Sequence, residues 1–596
     1  MNLLQSRNTP RVLIMLACLL WLGVLVVRAD RYVVAPGTPG GTNTGEFTDW
    51  SIAATQIQWA VDKAVVDGDT VWVSNGVYVL TNQIVITNGI ILRSAEGHGP
   101  EDTVINGGFA FGNPITNRCL LLSNSMALVS GLTLSNGAVL GTASTIGGGG
   151  ALITSGTMSN CVVRNNRFIQ LSGDSQVSGG GGINLSGGTV TVSTIHANIA
   201  TNGLQYIGGG AGIHIQNAGS LVSGCVISNN MLYSTIDVAG GSGAYGCGVY
   251  MGNGARLQSS TICYNLYKIR LVAYEGFAGG VFMTDPPTTM RDCTVTMNRC
   301  GYVGGVYALG GTITNCVISY NLANQHSGAL QLQVNGSAGI QCGVYNTLII
   351  GNTNSSADSV VYISASAGMG GEARMDNCRI INNRSNSKNA IGVSITNFSL
   401  FNSEVSSNGL GISFAPGRSG RMRNCLITGN SNSASSFSGG GILIKGGSTN
   451  LSISGCTIAG NINSNLATTG AGIRFDGTNP GTVVSSCIIY SNGVSGTSDV
   501  FDACAPTNYN ALQYSCVGTN TGPFTGAGII VANPQFKDFA GGNYRLTPSS
   551  FCINRGSNED WMNTAVDLDG RTRIRYGTVD MGAYERINQG TIYGFH

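Results

Sequence analysis

The sequence predicts an all-β protein, a right-handed parallel β-helix (solenoid) with an N-terminal amphipathic cap helix. Three observations predict this fold. A short motif of the form C-x-[IV]-x-x-N recurs between residues 131 and 492. A glycine-rich strand precedes most copies by 11 to 15 residues, and glycine makes up 89 of the 596 residues. Charged residues are only 10% of the chain, against roughly 25% in typical globular proteins, so Ser, Thr, Asn and Gly must form the surface.

The motif predicts how the coils stack. In a strand, residues two apart share a face, so the small first residue and the Ile or Val point inward together. The Asn that follows suits a turn, because Asn tolerates left-handed backbone geometry. Coils stacked about 4.8 Å apart would place Cys on Cys, Ile on Ile and Asn on Asn, and would bury an apolar face that one coil cannot bury alone. The thirteen copies begin at Gly131, Cys161, Ser193, Cys225, Ser260, Cys293, Cys316, Thr347, Cys378, Ser403, Cys425, Cys456 and Cys487.

Two other solenoids fit the sequence less well. Leucine-rich repeats share the strand-to-Asn spacing, but they need Leu at further fixed positions and a period of about 20 to 29 residues. Most of the spacings here exceed 30 residues, and Leu is scarce in the motif. A left-handed helix of hexapeptide repeats is excluded because no six-residue period occurs.

The first residues are typical of an export signal. Arg7 and Arg11 precede an apolar run of 16 residues, Val12 to Val27, which ends before the small residue Ala29. A membrane-spanning helix needs about 20 residues, so we predict a cleaved signal peptide over residues 1–29, the alternative being an uncleaved anchor. No later segment is long and apolar enough to span a bilayer. We therefore expect a secreted protein, extracellular or associated with the cell surface or outer membrane.

The remaining chain divides into three parts. Residues 30–118 are predicted to hold the cap and the first coils, with an amphipathic helix from Ser51 to Asp67 and Ser51 as its N-cap. Residues 119–500 form the repeat region. Residues 501–596 form the end of the solenoid and a C-terminal domain.

Both ends of the chain resemble known groups. The start contains Gly68-Asp-Thr-Val-Trp-Val73, Gly76-Val-Tyr78 and Thr103-Val-Ile-Asn-Gly107, and the end contains Tyr544-Arg-Leu546, Asp567-Leu-Asp-Gly570 and Val579-Asp-Met-Gly-Ala-Tyr-Glu585. The N-terminal segment resembles exported bacterial β-helix proteins of the pectate-lyase-like superfamily. The repeats resemble those of polymorphic outer-membrane proteins, and the C-terminal segment is similar to the choice-of-anchor domain of secreted surface proteins. The resemblance implies a surface protein that meets extracellular polysaccharide.

Charge and acid content limit the function. A net charge of +2 offers no basic surface for nucleic acid. The few Asp and Glu residues between 131 and 492 include no adjacent pair, and the five His show no metal-ligand spacing, so no cofactor or metal is predicted. A non-catalytic adhesion, glycan-binding or envelope component is favoured. A polysaccharide lyase or glycoside hydrolase stays the alternative, because β-helix sites assemble across coils.

One aromatic and basic stretch is the candidate ligand site. It follows the Asn265 turn, and Tyr302, Tyr307 and Tyr320 lie on the next two coils. Tyrosine rings beside Lys and Arg can hold sugar rings or an acidic glycan. The predicted partner is therefore an extracellular polysaccharide or surface glycan, and the alternative is that these tyrosines pack a loop onto the solenoid. The predicted ligand-binding residues are Tyr264, Tyr267, Lys268, Arg270 and Tyr274.

Overall fold

The chain forms a stack of parallel coils. The computed structural model describes residues 28–110, 117–141, 146–170, 179–202, 209–234, 245–269, 276–355, 358–385, 389–431, 440–463, 471–494, 503–504, 511–518 and 526–587. Strands of successive coils pair in parallel along the whole solenoid, which confirms the parallel β-helix. Its right-handed sense stays a prediction, as does the signal peptide, most of which lies outside the described residues.

A full coil carries up to four short strands, which we call a, b, c and d in chain order. The glycine-rich strand of the sequence pattern is a, and the Cys-containing motif gives c. The two repeat motifs do not include strands b and d, most of which are only two to four residues long. Columns a and b belong to one sheet, and two long strands, Leu120–Ser130 and Ala151–Ser159, run through both columns.

Each column contains one short strand from most of the coils. The remaining strands of column a are Ile84–Ile86, Ile183–Leu185, Ile213–Ile215, Val249–Met251, Val281–Met283, Val306–Ala308, Leu330–Val334, Val361–Ala365, Ile391–Val393, Ile412–Phe414, Ile442–Lys445, Ile473–Asp476 and Ala503–Cys504. Those of column b are Asp30–Val33, Thr70–Val73, Ile91–Ser94, Thr189–Thr191, Leu221–Ser223, Arg256–Gln258, Thr289–Arg291, Gly311–Thr314, Ile340–Tyr345, Glu372–Asp376, Phe398–Phe401, Gly420–Arg423, Leu451–Ser454, Val483–Ser485 and Leu512–Gln513. Column c comprises Gly76–Val79, Thr103–Asn106, Thr133–Ser135, Val162–Arg164, Thr194–His196, Val226–Ser228, Thr261–Cys263, Thr294–Thr296, Val317–Ser319, Leu348–Ile350, Arg379–Ile381, Glu404–Ser406, Leu426–Thr428, Thr457–Ala459, Ile488–Tyr490, Cys516–Val517 and Ile530–Val531. Column d comprises Ala138–Gly141, Arg167–Gln170, Ile199–Asn202, Met231–Ser234, Leu266–Ile269, Arg299–Cys300, Leu322–Ala323, Thr353–Asn354, Arg384–Ser385, Ile462–Asn463 and Gly493–Val494.

The core is built by the predicted stacking of column c. Val295 pairs in register with Ile318, and Ile318 with Ile349. All three are fully buried. Each such residue removes its aliphatic side chain from water, which contributes about 1.5–3 kcal/mol. The central residues of the three-residue b strands, such as Val190 and Leu257, also point into this core, whereas those of strand a point outward.

The motif Asn forms a buried ladder between strands c and d. Asn321 Nδ2 donates to Asn352 Oδ1 at 3.0 Å and to the carbonyl oxygen of Val295 at 2.9 Å. The sequence predicts left-handed geometry at this Asn, and the structure places it one residue earlier. Met297 and Tyr320, which precede ladder Asn residues, have φ of 55° and 52°. The motif Asn is therefore needed for its buried carboxamide, which bonds to the coils on either side.

The first motif residue forms a second ladder, which explains why Ser and Thr replace Cys. The backbone N–H of Cys225 donates to Ser260 Oγ at 3.1 Å, and that of Cys293 to Cys316 Sγ at 3.5 Å. Thr347 accepts from Cys316 in the same way. The position requires a small side chain that accepts one hydrogen bond from the preceding coil, and thiols and hydroxyls both satisfy it.

The cap helix is shorter than the sequence predicts. An α-helix spans Ile57–Lys63 and buries Ile57, Ala60 and Val61 against the first coils. The residues before it form a separate 3-10 helix, Trp50–Ile52, because Asp49 accepts from the backbone N–H of Ser51. Within the described ranges, no helix has both the length and the apolar character that crossing a membrane requires.

The C-terminal segment folds back along the side of the last coils. It contains an antiparallel hairpin, Phe536–Asp538 with Asn543–Leu546, and a 3-10 helix, Asp560–Asn563. Gly582 donates its N–H to the carbonyl oxygen of Ser486 at 2.8 Å, and a Cβ at Gly582 would lie 2.8 Å from Thr457 and Ile488. Glycine is needed there because backbone meets side chain directly, and this accounts for the Met-Gly-Ala-Tyr-Glu motif.

The Asp567-Leu-Asp-Gly motif builds a turn in this segment. Asp567 Oδ1 accepts from the backbone N–H groups of Asp569 and Arg571, and its Oδ2 accepts from that of Glu585. Three backbone donors therefore satisfy the buried carboxylate. The residue acts here as a structural brace between two stretches of the C-terminal segment.

Candidate functional site

The outward face of column a carries a row of large side chains. Residues at the centre of successive a strands stack on one another, with ring centroids 4.5 Å apart for His214 and Tyr250, 5.5 Å for Tyr250 and Phe282, and 5.2 Å for Phe282 and Tyr307. We call this the strand row; it comprises His214, Tyr250, Phe282, Tyr307, Gln331 and Tyr362. It exists because in-register parallel pairing places equivalent residues directly above one another.

A second row lies beside the first, five residues earlier on each of four coils. Ring centroids are 5.0 Å apart for Tyr245 and Phe277, 5.1 Å for Phe277 and Tyr302, and 3.8 Å for Tyr302 and His326. We call Tyr245, Phe277, Tyr302 and His326 the loop row. The two rows pack together, since Tyr245 lies 4.5 Å from Phe282 by ring centroids. Together they form an aromatic layer outside the main core.

The part of this layer nearest the N-terminus, which includes His214 and Tyr250, has a packing role. His214 is fully buried, and burial lowers its pKa to about 3, so the imidazole is neutral. Its Nδ1 accepts from the backbone N–H of Gly179 at 2.9 Å. Burial likewise raises the pKa of Tyr250 to about 12. These groups keep one protonation state over the physiological pH range and present little surface to a ligand.

The layer opens to solvent at His326 and Asp358. His326 Nδ1 lies 2.8 Å from Asp358 Oδ2, and the two side chains are 31% and 25% exposed. The imidazole also lies against the Tyr302 ring. The Asp358 main chain is held by Asn354 Nδ2 and Ser385 Oγ, which donate to its carbonyl oxygen at 2.9 and 2.7 Å. A titratable pair thus lies at the surface on a fixed backbone.

A groove begins at Asp358 and runs on along column a. After Tyr362, the next residues in the strand row are Gly392 and Ser413, and only then Leu443. The two small residues leave a cavity of about 190 Å³ between Tyr362 and Leu443. Its lining includes Asp358, Ser359, Tyr362, Asn389, Gly392, Val393, Ser394, Ser413, Ala415, Leu443 and Lys445.

The lining combines one ring, several small polar groups and one cation. Tyr362 and Asn389 are half-buried at one end, and Lys445 is half-buried at the other. A flat aromatic face with a few hydroxyl, amide and charged groups is the usual composition of a site for a polar organic ligand. Because the groove follows the solenoid axis across four coils, it suits an extended ligand better than a compact one.

The residues predicted from the sequence do not line this groove. Tyr264 is 53% exposed at the turn between strands c and d. Tyr267 is 7% exposed and packs with Phe168, Leu232 and Cys300 in a small core beside column d, as the packing alternative predicts. Lys268 is exposed on the same strand, and Arg270 and Tyr274 lie outside the described residues. Ligand binding by this set stays a prediction.

A spacing pattern in the sequence indicates the aromatic layer that leads to the groove. Aromatic residues recur five apart on consecutive coils, as in Tyr245 with Tyr250, Phe277 with Phe282 and Tyr302 with Tyr307. Extending the pattern by one coil reaches His326 and Gln331. Their neighbour Asp358 follows one coil later, and only the stacking shows that it meets His326.

Metal chemistry finds no support in the described part of the chain. There, no three His, Cys, Asp or Glu side chains come close enough together to hold a metal ion. The groove contributes one carboxylate, that of Asp358. A hard cation such as Ca²⁺ takes about six to eight oxygen ligands.

Comparison with known proteins gives remote matches. No protein-family profile and no curated protein matches the chain. Among solved structures it is similar to pectate lyase Pel9A, with 12% identity and a TM-score of 0.31 over 94% of this chain and 97% of the other. It is also similar to the A-module of mannuronan C-5 epimerase AlgE6 of Azotobacter vinelandii, with 12% identity and a TM-score of 0.20 over 80% of this chain and 95% of that one. The function is therefore argued from the groove itself.

Proposed function

We propose that the chain is a secreted or cell-surface β-helix protein that binds a polysaccharide in the column a groove without cleaving it. The observation that carries the proposal is the groove, in which Gly392 and Ser413 leave an axial trough between Tyr362 and Lys445. A polysaccharide is an extended ligand with apolar ring faces and polar edges, which matches such a trough. The predicted signal peptide supports export to where such polymers occur.

Each end of the groove contributes a different contact. The Tyr362 ring can stack on a sugar face, and tyrosine supplies this area at low entropic cost because it has two rotatable side-chain bonds. Asp358 and Asn389 can bind hydroxyl groups, since a carboxylate accepts and an amide both accepts and donates. Lys445 adds three donors at the far end. Tyr264 and Lys268 remain a second proposed contact, outside the groove.

The acid content of the groove argues against glycoside hydrolysis. Hydrolases of this kind use two carboxyl groups about 5 to 9.5 Å apart, one as acid and one as base or nucleophile. Asp358 is the one carboxylate among the described residues that line the cavity. A hydrolase would therefore lack one of its two groups there.

A lyase is the second candidate, and the His326–Asp358 pair is the observation that favours it. An imidazole can remove a proton from a sugar carbon, and the Asp358 carboxylate, 2.8 Å from Nδ1, places a negative charge beside this ring. The elimination would then break the adjacent carbon–oxygen bond, form a carbon–carbon double bond and return the proton to the departing sugar oxygen. The elimination therefore consumes no reagent other than the polysaccharide.

One experiment separates the candidates. The mature chain, residues 30–596, is screened on a glycan array, and hits are followed by calorimetry and by absorbance assays for unsaturated products and reducing ends. We expect binding without product. Tyr362→Ala should weaken binding at least about tenfold, as loss of a stacked ring contributes roughly 1–3 kcal/mol. Tyr576→Ala, at a ring 49% exposed in the C-terminal segment, is the matched control.

The outcomes are distinguishable. If Tyr362→Ala binds as the parent does and Tyr264→Ala does not, the ligand site is the one predicted from the sequence and the groove is not used. If unsaturated product forms and His326→Asn abolishes it while retaining binding, the lyase function replaces the non-catalytic one.

A further inference from the structure

The C-terminal segment contains a second cavity, of about 450 Å³, far along the chain from the column a groove. It lies between the hairpin at 536–546, the turn at 567–571 and the last described residues. Its lining comprises Lys537, Arg545, Leu546, Pro548, Arg571, Glu585, Arg586 and Ile587. Four of these eight side chains are cationic, in a chain in which only 30 of 596 residues are Lys or Arg.

Few acids offset this positive charge. Asp569 pairs with both Arg545, at 2.7 Å from Nε, and Arg571, at 2.8 Å from Nη1. Hydrogen bonding to Arg545, with the charges of Arg571 and Lys537, holds the pKa of Asp569 below its usual range. The Glu585 carboxylate is directed elsewhere, since its Oε1 lies 3.3 Å from the buried Arg573. Asp569, together with Asp567 at 3.9 Å from Arg571 Nη1, therefore offsets only part of the positive charge.

The two arginines at the cavity are held in place. Arg545 is fixed by Asp569, by Asn543 Oδ1 at 3.2 Å and by the Tyr584 ring, whose centroid lies 4.7 Å from its guanidinium carbon. Arg571 Nη1 also donates to the carbonyl oxygen of Glu585 at 3.1 Å. Fixed side chains lose little entropy when a ligand binds. The cavity thus offers preorganised guanidinium groups, which favour oxyanions.

Lys537 is the cation of this cavity that contributes an exposed ammonium group. It is exposed on the first hairpin strand, across the strand pair from Arg545. Within the described ranges no carboxylate forms an ion pair with it, and its three ammonium donors are open to a ligand. It is also the position whose replacement disturbs the segment least.

We propose that this cavity binds an oxyanion, carried by the extracellular polymer as a sulfate ester or a carboxylate. The shared chemistry is a negatively charged group with several acceptor oxygens. It would be bound by Lys537 and by the guanidinium N–H groups of Arg545 and Arg571 that Asp569, Asn543 and the Glu585 carbonyl leave unused. The oxyanion site does not depend on the groove; only its assignment to a polysaccharide rests on the proposed function.

Inorganic sulfate tests the site by itself. Calorimetric titration of the mature chain with sodium sulfate, at an ionic strength held constant with sodium chloride, should show saturable binding at one site. Lys537→Gln should weaken it about tenfold through loss of one charge-assisted hydrogen bond, and Lys537→Glu should abolish it. Arg384→Gln removes an exposed cation from column d and should leave binding unchanged.

Two further experiments identify the molecule that carries the oxyanion and test whether residues 588–596 of the chain occupy the cavity instead. A sulfated and a uronic-acid oligosaccharide of equal length are compared with their neutral parent, and preference for either acidic form over the neutral one supports the proposal. Sulfate that binds equally well to the parent and to Lys537→Glu would overturn it. Binding that appears only after residues 588–596 are deleted would also overturn it, because the tail would then be the occupant.

Discussion

Asn298 and Asn321, on consecutive coils, are joined by two hydrogen bonds to one oxygen. The backbone N–H and the Nδ2 of Asn298 both donate to Asn321 Oδ1, each at 3.0 Å. Both residues are buried, so none of these groups has access to water. The ladder therefore satisfies the backbone at every turn from column c to column d, while fixing the register of one coil on the next.

Replacing one member of this ladder should be costly. Asn321→Ala would leave the backbone N–H and the Nδ2 of Asn298 without their acceptor and would remove one donor from the Val295 carbonyl, while Asn352 Oδ1 keeps the backbone N–H of residue 321. An unsatisfied buried group costs about 1–3 kcal/mol, so we expect a loss of at least about 2 kcal/mol, measured by denaturant unfolding. Asn382→Gly is the control, because Asn382 is exposed and has φ of 54°, which glycine adopts freely. Equal losses for both variants would contradict the prediction.

The stacking of column c could be predicted from the sequence, whereas the groove could not, for one physical reason. Inward residues such as Ile318 must repeat, because each packs on its equivalent in the next coil. Outward residues have no such requirement, so His326 and Asp358 follow no repeat, and the unequal lengths of the coils hide their proximity. Tyr267 illustrates the same limit, because nothing in the local sequence separates an outward tyrosine from one that packs in a second core.

The ladder cysteines should remain reduced in the folded protein. Cys425, Cys456 and Cys487 lie on consecutive coils as free thiols, with parallel side chains. All three thiols are fully buried and so sealed from reagents, and burial raises the pKa of Cys425 and Cys487 well above the usual range. We expect mass mapping under non-reducing conditions to find no bond between Cys456 and Cys487. Alkylation should label these residues only after denaturation, and a Cys456–Cys487 disulfide would refute the prediction.

The same ladder predicts which replacements are tolerated. Cys316→Ser should change stability by less than about 1 kcal/mol, because Ser260 and Ser403 already accept the equivalent hydrogen bond. Cys316→Val keeps the size but removes the acceptor for the Cys293 N–H. It should cost about 1–3 kcal/mol. Thermal unfolding of the two variants side by side checks this, and a valine variant as stable as the serine variant would show that the hydrogen bond is unimportant.

Docking of the C-terminal segment should weaken at alkaline pH. Burial raises the pKa of Glu585 to about 8, even though Arg573 lies beside it, and burial also raises that of Asp580. The folded state therefore binds more protons than the unfolded state, in which a Glu has a pKa near about 4.3. The resulting stability is full below that value and is lost as the pH rises through about 8.

Hydrogen exchange can follow this change directly. Protection of residues 552–587 should fall between pH 6 and pH 9, after correction for intrinsic exchange rates, while the Asn ladder stays protected. Glu585→Gln should remove most of the pH dependence, since its amide does not ionise. If the variant loses protection at pH 9 as the parent does, another group is responsible.

Filling the groove should abolish glycan binding without unfolding the chain. Ser413 pairs in register with Leu443, which occupies the same outward row and is 4% exposed. Leucine is therefore compatible with this row, and Ser413→Leu would fill the trough beside Gly392. We expect the dissociation constant for the bound glycan to rise at least about tenfold, while stability changes by less than about 1 kcal/mol. Thr312→Leu makes a similar change on column b, outside the groove, and should bind as the parent does. A Ser413→Leu variant with undiminished affinity would place the ligand elsewhere on the molecule.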